Sequence, residues 1–529
     1  MLFDFLIVGA GSAGCVLAAR LSEDPSARVL LLEAGERDTR KEIHIPAAFP
    51  RIFKSSADWA YQTEPQPRLN GRRLFWPRGK VIGGCSSINA MIYIRGQRQD
   101  FDSWRDAGNP GWSFEDVLPL FRAMESRTGG PLHVTDLRAP HRLSRAYLEA
   151  CAECGIPLNP DFNGDTQEGA GLYQVTQKGG RRHSAAAAYL KPALRRPNLT
   201  VATGAHATRV LFEGRRAVGV EYVKNGRLEQ ARAGEVVLCG GAVNTPQLLM
   251  LSGIGPRDHL QTIGVPVLED LPGVGANLQD HLAMIICDRC TQPVTLDHAG
   301  SARDFLSWLF LKTGPLTSNI AEGGAFVRSR PGYKEPNLQF LFGPVFFIQH
   351  GFVKPSGHGF SLGPVLLHPR SRGTIRLRSH DPFDPPLIQP NYLEDPEDLA
   401  QLIDGVRLAR RILAAHAFDA FRKDEFLPGA SAESDEEVAA AIANMAETLY
   451  HPVGTCRMGT GGGAVVDSAL RVHGLRQLRV ADASIMPTVT GGNTNAPAIL
   501  IGEKASRMIR GEERVTAGSS VYSVPTSRG

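Results

Sequence analysis

At 529 residues the chain is too long for one small domain and suggests about two to four domain-sized units. Its 42% hydrophobic and 21% charged residues are those of an ordinary soluble globular protein. The net charge of +4 is spread over interspersed basic and acidic residues, with no basic run, which speaks against nucleic acid as a partner.

The N-terminal run MLFDFLIVGAGSAG has no positive charge ahead of its apolar stretch, and that stretch enters a Gly-rich turn. It reads as a buried strand rather than a signal peptide. No window holds the roughly 18 unbroken apolar residues of a membrane span. A cytoplasmic location is expected, with peripheral membrane association as the alternative.

Phe3–Val8 predicts a strand, Gly9–Gly14 a turn, Gly14–Leu21 a helix and Val29–Leu32 a second strand, the opening of a doubly wound sheet. Residues 9–14, GAGSAG, fit G-x-G-x-x-G. Gly9 permits the tight turn, Gly11 lets backbone approach a pyrophosphate, and Gly14 lets helix and strand pack closely. The helix N-terminus offers free N–H groups and a positive dipole end to phosphates. Glu33 ends the second strand, near the spacing of about 20 residues expected for a carboxylate on a ribose hydroxyl. This cradle does not separate NAD from FAD, although Glu33 disfavours NADP, because a carboxylate repels a 2′-phosphate.

Residues 36–75 read as an extended, Pro- and Arg-rich excursion. The segment 78–95, RGKVIGGCSSINAMIYIR, holds a second Gly-rich turn at Gly83 and Gly84. Such a turn can lie against a flat ring or a phosphate, and Asn89 adds an amide that donates and accepts. Two of the eight cysteines form a C-x-x-C pair at Cys151 and Cys154, and two more at Cys287 and Cys290. The pairs are far apart and Leu148–Cys154 reads as helical, so buried thiols are expected rather than a metal. Strands are expected within Leu199–Val223 and at Glu235–Cys239, the latter followed by a helix at Thr245–Leu251. Residues 290–445 read as a second domain, with strand-like pieces at Leu338–Leu341 and Gly373–Arg378 and helices at Glu397–His416 and Ser434–Ala446. Within it, Phe305–Leu311 (FLSWLFL) is expected to be a core helix in preference to a membrane-docking patch. Arg479–Ala481 predicts a strand, Asn495 the cap of a last helix with Pro497 in its first turn, and the Ser-rich tail is expected to be loose.

Taken as a set, the residues of 78–95 resemble the first signature of the glucose–methanol–choline (GMC) oxidoreductase family. Residues 241–255 resemble its second signature, 451–459 the segment that carries its catalytic histidine, and 482–487 with 491–497 its C-terminal flavin segment. The blocks occur in the family's order over nearly the whole chain. Cys85 departs from the small hydroxyl or glycine usual after the Gly pair.

The resemblance implies an α/β fold: a doubly wound Rossmann-like FAD-binding domain with a substrate domain built on an antiparallel sheet flanked by helices. It assigns 1–35, 74–130, 195–285 and 450–512 to the first, 36–73, 131–194 and 286–449 to the second, and 513–529 to a flexible tail. FAD would be held by Gly9, Gly11, Ser12, Gly14, Glu33, Gly83, Gly84, Ser86, Asn89, Val210, Asp482 and Asn495. Some members join FAD covalently through a histidine where this chain has Ile88, so non-covalent FAD is implied.

Alcohol oxidation needs a base for the hydroxyl proton and an acceptor for hydride, and a base with a pKa near neutrality favours histidine. Of the fifteen histidines, His451 lies inside a family block. The resemblance implies that it takes the proton while hydride passes to flavin N5, and that Asn493 holds the developing alkoxide. Residues 313–328 resemble the aliphatic-alcohol and choline dehydrogenase branch. Glu322 is read as a structural hydrogen-bond partner in preference to the site of a cationic substrate. Phe340, Phe342, Phe346 and Phe347 suggest an apolar pocket. The expected substrate is a primary alcohol with an apolar or aromatic body. The expected acceptor is a quinone or electron-transfer protein. The alternatives are an oxidase that makes peroxide from oxygen, a choline dehydrogenase and, more remotely, a flavin lyase, a photodecarboxylase or a non-catalytic flavin-binding protein. The oligomeric state is not legible.

Overall fold

The computed structural model describes residues 2–512; the tail expected to be loose, 513–529, lies outside them. Leu2–Val8 pairs in parallel with Val29–Leu32 on one side and Arg227–Leu238 on the other. Leu199–Ala202 extends the sheet beyond Val29–Leu32, and Leu478–Val480 pairs with Arg227–Leu238. All four residues of Val29–Leu32 are buried, as the unbroken VLLL run requires of a strand covered on both faces. The antiparallel strands Ala205–Glu213 and Arg216–Lys224 complete this seven-stranded sheet.

Helix Ser12–Leu21 is buried along most of its length between the sheet and helix Asn495–Ile509. The approach is close enough that a Cβ on Gly14 would collide with the Gly9 carbonyl, and one on Gly502 would lie 2.7 Å from the Ala13 carbonyl. Glycine at both positions is therefore a packing requirement.

The second sheet has eight strands, all antiparallel, with Gly359–Leu366 between Leu338–Gly343 and Ile286–Cys290. Helix Pro396–Leu413 packs on it through Leu402, Val406, Ala409 and Ile412, and Asp395 caps its start by accepting from the Glu397 N–H. The α/β architecture, with one doubly wound sheet and one antiparallel sheet flanked by helices, is the expected one.

Four local expectations change. Strand Arg227–Leu238 starts eight residues before Glu235, because its exposed polar first half is paired with Arg216–Lys224 and carries no apolar signal. Helix Gly241–Leu251 starts at Gly241 rather than Thr245 and carries Pro246 inside it, where one N–H is missing from the helical ladder. The excursion 36–75 contains a helix at Lys41–His44 and a 3-10 helix at Pro46–Ile52. Phe305–Leu311 is helical but not core: of its seven residues only Trp308 is buried.

Candidate active site

An elongated cavity lies between the two sheets. Gly9, Gly11, Ser12 and Glu33 border one end, and His451, Asn493, Ile320 and Phe347 border the other. Three helix N-termini face it: Ser12–Leu21, Gly241–Leu251 and Asn495–Ile509; none is capped by its own N-cap side chain, and the first N–H of the second is taken by Asp482. Uncapped N-termini present free N–H groups and positive dipole ends, a setting for anionic groups. Gly9 has φ +101°, and a Cβ on it would sit 2.5 Å from the Cys239 carbonyl oxygen. Gly241 shares that left-handed backbone, at φ +81°, but it and Gly11 differ from Gly9 in their surroundings. A Cβ on Gly11 would meet only that oxygen, at 3.8 Å, and one on Gly241 nothing within 4 Å. Their missing side chains leave space in the cavity wall rather than relieve a packing clash.

Glu33 is buried, its two carboxylate oxygens accepting from the Ala10 and Gly35 N–H groups at 2.8 Å each. Burial raises its pKa to about 7 against those bonds. Asp482 accepts from the Gly241 N–H at 2.8 Å and the Thr245 hydroxyl at 2.6 Å, tying the C-terminal block to the second helix N-terminus. Asn495 is not the cap of its helix: Thr494 holds that position, and Asn495 Oδ1 accepts from the Ser12 hydroxyl at 2.8 Å. Its side chain ties two helix starts together instead.

Gly9, Gly11, Ser12, Glu33, Gly84, Asn89, Asp482 and Asn495 all border the cavity, as does Ile88. Gly14, Gly83, Ser86 and Val210 stand behind its wall. Gly14 serves the helix contact, Gly83 turns the chain at φ +92°, and the Ser86 hydroxyl donates to the Gly83 carbonyl. The Val210 N–H donates to the Ser252 hydroxyl, and Ala205–Ala207 of the same strand border the cavity in its place. Behind Asn89 lies a group that sequence reasoning missed. The Arg182 guanidinium is fully buried, donates to Asn89 Oδ1 at 2.8 Å and to the Ile43 carbonyl at 2.7 Å, and has no carboxylate partner among its hydrogen bonds. Burial lowers its pKa to about 9.

At the other end, distant segments meet. The His451 N–H donates to Asp280 Oδ1 at 2.7 Å, and the buried Asp280 is itself held by the Thr448 and Tyr392 hydroxyls. His451 Nδ1 lies 2.9 Å from His281 Nδ1, and His281 Nε2 lies 2.9 Å from the Leu367 carbonyl oxygen. That carbonyl can only accept, so His281 carries its proton on Nε2 and presents a lone pair at Nδ1. His451 must then carry its proton on Nδ1, which leaves Nε2 bare.

A second chain reaches His451 Nε2. The Tyr173 hydroxyl donates to the Phe340 carbonyl at 2.6 Å and accepts from Gln339 Nε2 at 3.0 Å; Gln339 Nε2 also donates to Asn493 Oδ1 at 3.1 Å. This turns the Asn493 amide nitrogen toward His451 Nε2, at 3.3 Å. Two backbone carbonyls thus fix both tautomers and two amide orientations. Burial, with Arg78 adding to it, holds His451 well below the usual histidine value, not near neutrality as expected of the base. His281, buried too, is lowered to about 3.

Neither His281 nor Gln339 was singled out from sequence. The polar triplet Gln279–Asp280–His281, buried ahead of the apolar Leu282–Ile286, was the available signal. Glu322 lies outside the cavity wall, its oxygens accepting from the His141 N–H and the Ser144 and Ser318 hydroxyls. Of the four phenylalanines expected in a pocket, only Phe347 borders the cavity. Phe340, Phe342 and Phe346 are core, with Phe342 stacked on Tyr147 at 4.8 Å.

A Gly-rich βαβ cradle, helix starts that face the cavity and a half-buried His–Asn pair at its far end define a dinucleotide-dependent oxidoreductase. The GMC oxidoreductase N-terminal pattern matches residues 3–283 and its C-terminal pattern residues 369–502, and the chain belongs to this family. It is 48% identical over 527 residues to an alcohol dehydrogenase [acceptor] of Pseudomonas putida, covering 96% of each chain. It is 46% identical to the mitochondrial choline dehydrogenase of Homo sapiens, covering 96% of this chain and 90% of that one. Pyridoxine 4-oxidase from Mesorbium loti superposes with a TM-score of 0.89 at 36% identity, covering 97% of this chain and 100% of that one. The protein is an FAD-dependent oxidoreductase of the alcohol and choline dehydrogenase type. The space at Gly11 and Gly241 and the helix starts that face the cavity fit that cofactor's anionic pyrophosphate.

Proposed function

We propose that the enzyme oxidises a neutral primary alcohol with an apolar or aromatic body to the aldehyde and passes the electrons to an acceptor other than oxygen. The observation that carries this reading is the bare Nε2 of His451, 3.3 Å from the Asn493 amide, at a cavity end walled by Ile320, Leu341, Phe347 and Phe53. The bound FAD supplies the hydride acceptor. His451 Nε2 takes the hydroxyl proton, and Asn493 Nδ2 donates to the oxygen as its negative charge develops. The 3.3 Å bond between the two is long, and a substrate hydroxyl that donates to Nε2 and accepts from Nδ2 replaces it at little cost. His281 Nδ1 keeps its hydrogen bond throughout, so the imidazolium forms with its Nδ1 proton held in place.

The acceptor is proposed on the similarity to an alcohol dehydrogenase [acceptor]. Non-covalent FAD is proposed on Ile88, which borders the cavity and offers no nucleophile. Acid precipitation of the holoenzyme would then leave the flavin in the supernatant.

Choline is the second reading. Phe49, Phe53, Phe347 and Tyr450 border the cavity and can face a quaternary ammonium, and the relatives include a choline dehydrogenase. With Glu322 engaged elsewhere, the acidic side chains on the cavity wall are Glu33, at the dinucleotide end, and Asp482. That favours the neutral alcohol. Anaerobic stopped-flow reduction of the bound flavin by hexanol, benzyl alcohol and choline decides between them. Fastest bleaching by choline would replace the first reading with the second, and bleaching by none would remove both. Peroxide formed under air at the rate of alcohol consumption would make the enzyme an oxidase.

A further inference from the structure

We infer that the turn Phe305–Leu311, with Phe352 and Val353 beside the same wall segment, is a docking surface for an anionic phospholipid bilayer. The turn is held by one residue. The Trp308 ring is buried against Ile45, Ala48 and Leu316, and its Nε1 donates to the Gly180 carbonyl at 2.8 Å. Lys312, at φ +56°, then ends the helix and reverses the chain. The result is a short, firmly seated helix whose remaining large side chains point outward. Phe310 is 71% exposed and Leu311 69%, and Phe305, Leu306 and Leu309 are exposed as well. A soluble surface rarely carries so many apolar groups in one turn without something to cover them.

The surrounding charge selects the cover. Arg303 and Lys312 flank the turn, the Arg181 guanidinium stands 5.4 Å from the Trp308 ring centre, and the exposed Arg138 donates to the Lys312 carbonyl at 2.7 Å. The turn's flanking carboxylate, Asp304, is folded back onto the Gly300 and Ser301 N–H groups and the Ser301 hydroxyl. Phe352 repeats the pattern, with Lys54 Nζ 4.2 Å from its ring centre and Lys354 exposed nearby. Apolar side chains within a fringe of cations match the acyl and phosphate layers of an anionic leaflet. A second protein copy would have to bury those cations against its own. Among the described residues no helix is long and apolar enough to cross a membrane, so the attachment is to one leaflet.

The position gives the contact a use. Both patches rest on Pro46–Phe53: Ala48 packs with Trp308, Gly351 lies beside Pro50, and Phe53 meets Phe352 at 6.5 Å between ring centres. Phe49 and Phe53 of that same segment border the cavity. One segment therefore separates the proposed membrane face from the active site, which suits exchange of lipid-soluble molecules across a thin apolar wall.

Flotation of the purified holoenzyme with phosphatidylcholine vesicles, with and without phosphatidylglycerol, tests the inference, which does not depend on which alcohol is oxidised. The enzyme is expected to float with the anionic vesicles and to be released by high salt. Replacing Phe310→Ser and Leu311→Ser together should lower the bound fraction roughly tenfold or more, since each lost side chain removes apolar area from the bilayer. Both positions are exposed, so flavin reduction by alcohol in solution should be unchanged. Failure of the wild type to float with either vesicle, or flotation of the double variant as wild type, would overturn the proposal. So would a dimer in sedimentation velocity that the double variant dissociates, because the patch would then be covered by a second copy.

Discussion

His451 Nδ1 and His281 Nδ1 face each other at 2.9 Å, and only one of them carries a proton. The Leu367 carbonyl, 2.9 Å from His281 Nε2, decides which. A backbone acceptor two residues removed from the reacting atom thereby sets the protonation state of the proposed base. Such positioning of a histidine by the partner of its other nitrogen is a general device.

His281 should therefore act through His451. His281→Leu removes the acceptor, and the limiting rate of flavin reduction is expected to fall about tenfold or more. His281→Asn restores an oxygen near the Nδ1 position and should recover part of the rate. The accepting His281 Nδ1 also stabilises the His451 imidazolium, so the acid limb of the kcat/KM profile should move to lower pH in the Leu variant. An unchanged limb would show that His281 serves packing alone.

The pair that touches the substrate is tested directly. His451→Ala should slow anaerobic flavin reduction by at least about a hundredfold. Asn493→Ala should cost about a hundredfold through lost stabilisation of the developing charge, seen in kcat more than in KM. A His451→Ala variant that reduces its flavin at the wild-type rate would remove the base from the scheme.

The direction of the pKa shifts fixes the pH dependence. His451 is lowered, so its neutral, proton-accepting form persists as the pH falls, and the acid limb should lie below about pH 6.5. The same sign applies to stability. The unfolded chain protonates His281 near pH 6.5, whereas the folded chain does so only at about 3. Its contribution is present above about pH 6.5 and declines as the pH falls, by about 1.4 kcal/mol per unit, until the folded value is reached. A urea midpoint that drops between about pH 7 and pH 5 in wild type, and drops less in His281→Leu, is the expected result.

Gly502 tests the seat of the cradle. Gly502→Ala would place a methyl group 2.7 Å from the Ala13 carbonyl and 3.0 Å from Val16 Cβ. Overpacking there should cost about 1–3 kcal/mol, lower the thermal midpoint and weaken flavin retention, because helix Ser12–Leu21 starts at the cavity. A midpoint equal to wild type would mean that the two helices can move apart freely.

By itself the sequence determined the parts governed by local rules. VLLL had to be a buried strand, GAGSAG had to turn tightly before a helix, and the blocks in their order carried the family. The pairing of 451 with 493 came from those blocks, and the structure sets the two side chains 3.3 Å apart. What only the tertiary structure decided were relations between distant segments. His281, Gln339 and Tyr173 lie 170, 112 and 278 residues from His451, and no local periodicity connects them. The turn Phe305–Leu311 makes the complementary point. Its apolar composition reads as core, yet only Trp308 finds partners, because burial depends on what the rest of the chain places opposite a segment, not on the segment's own hydrophobicity.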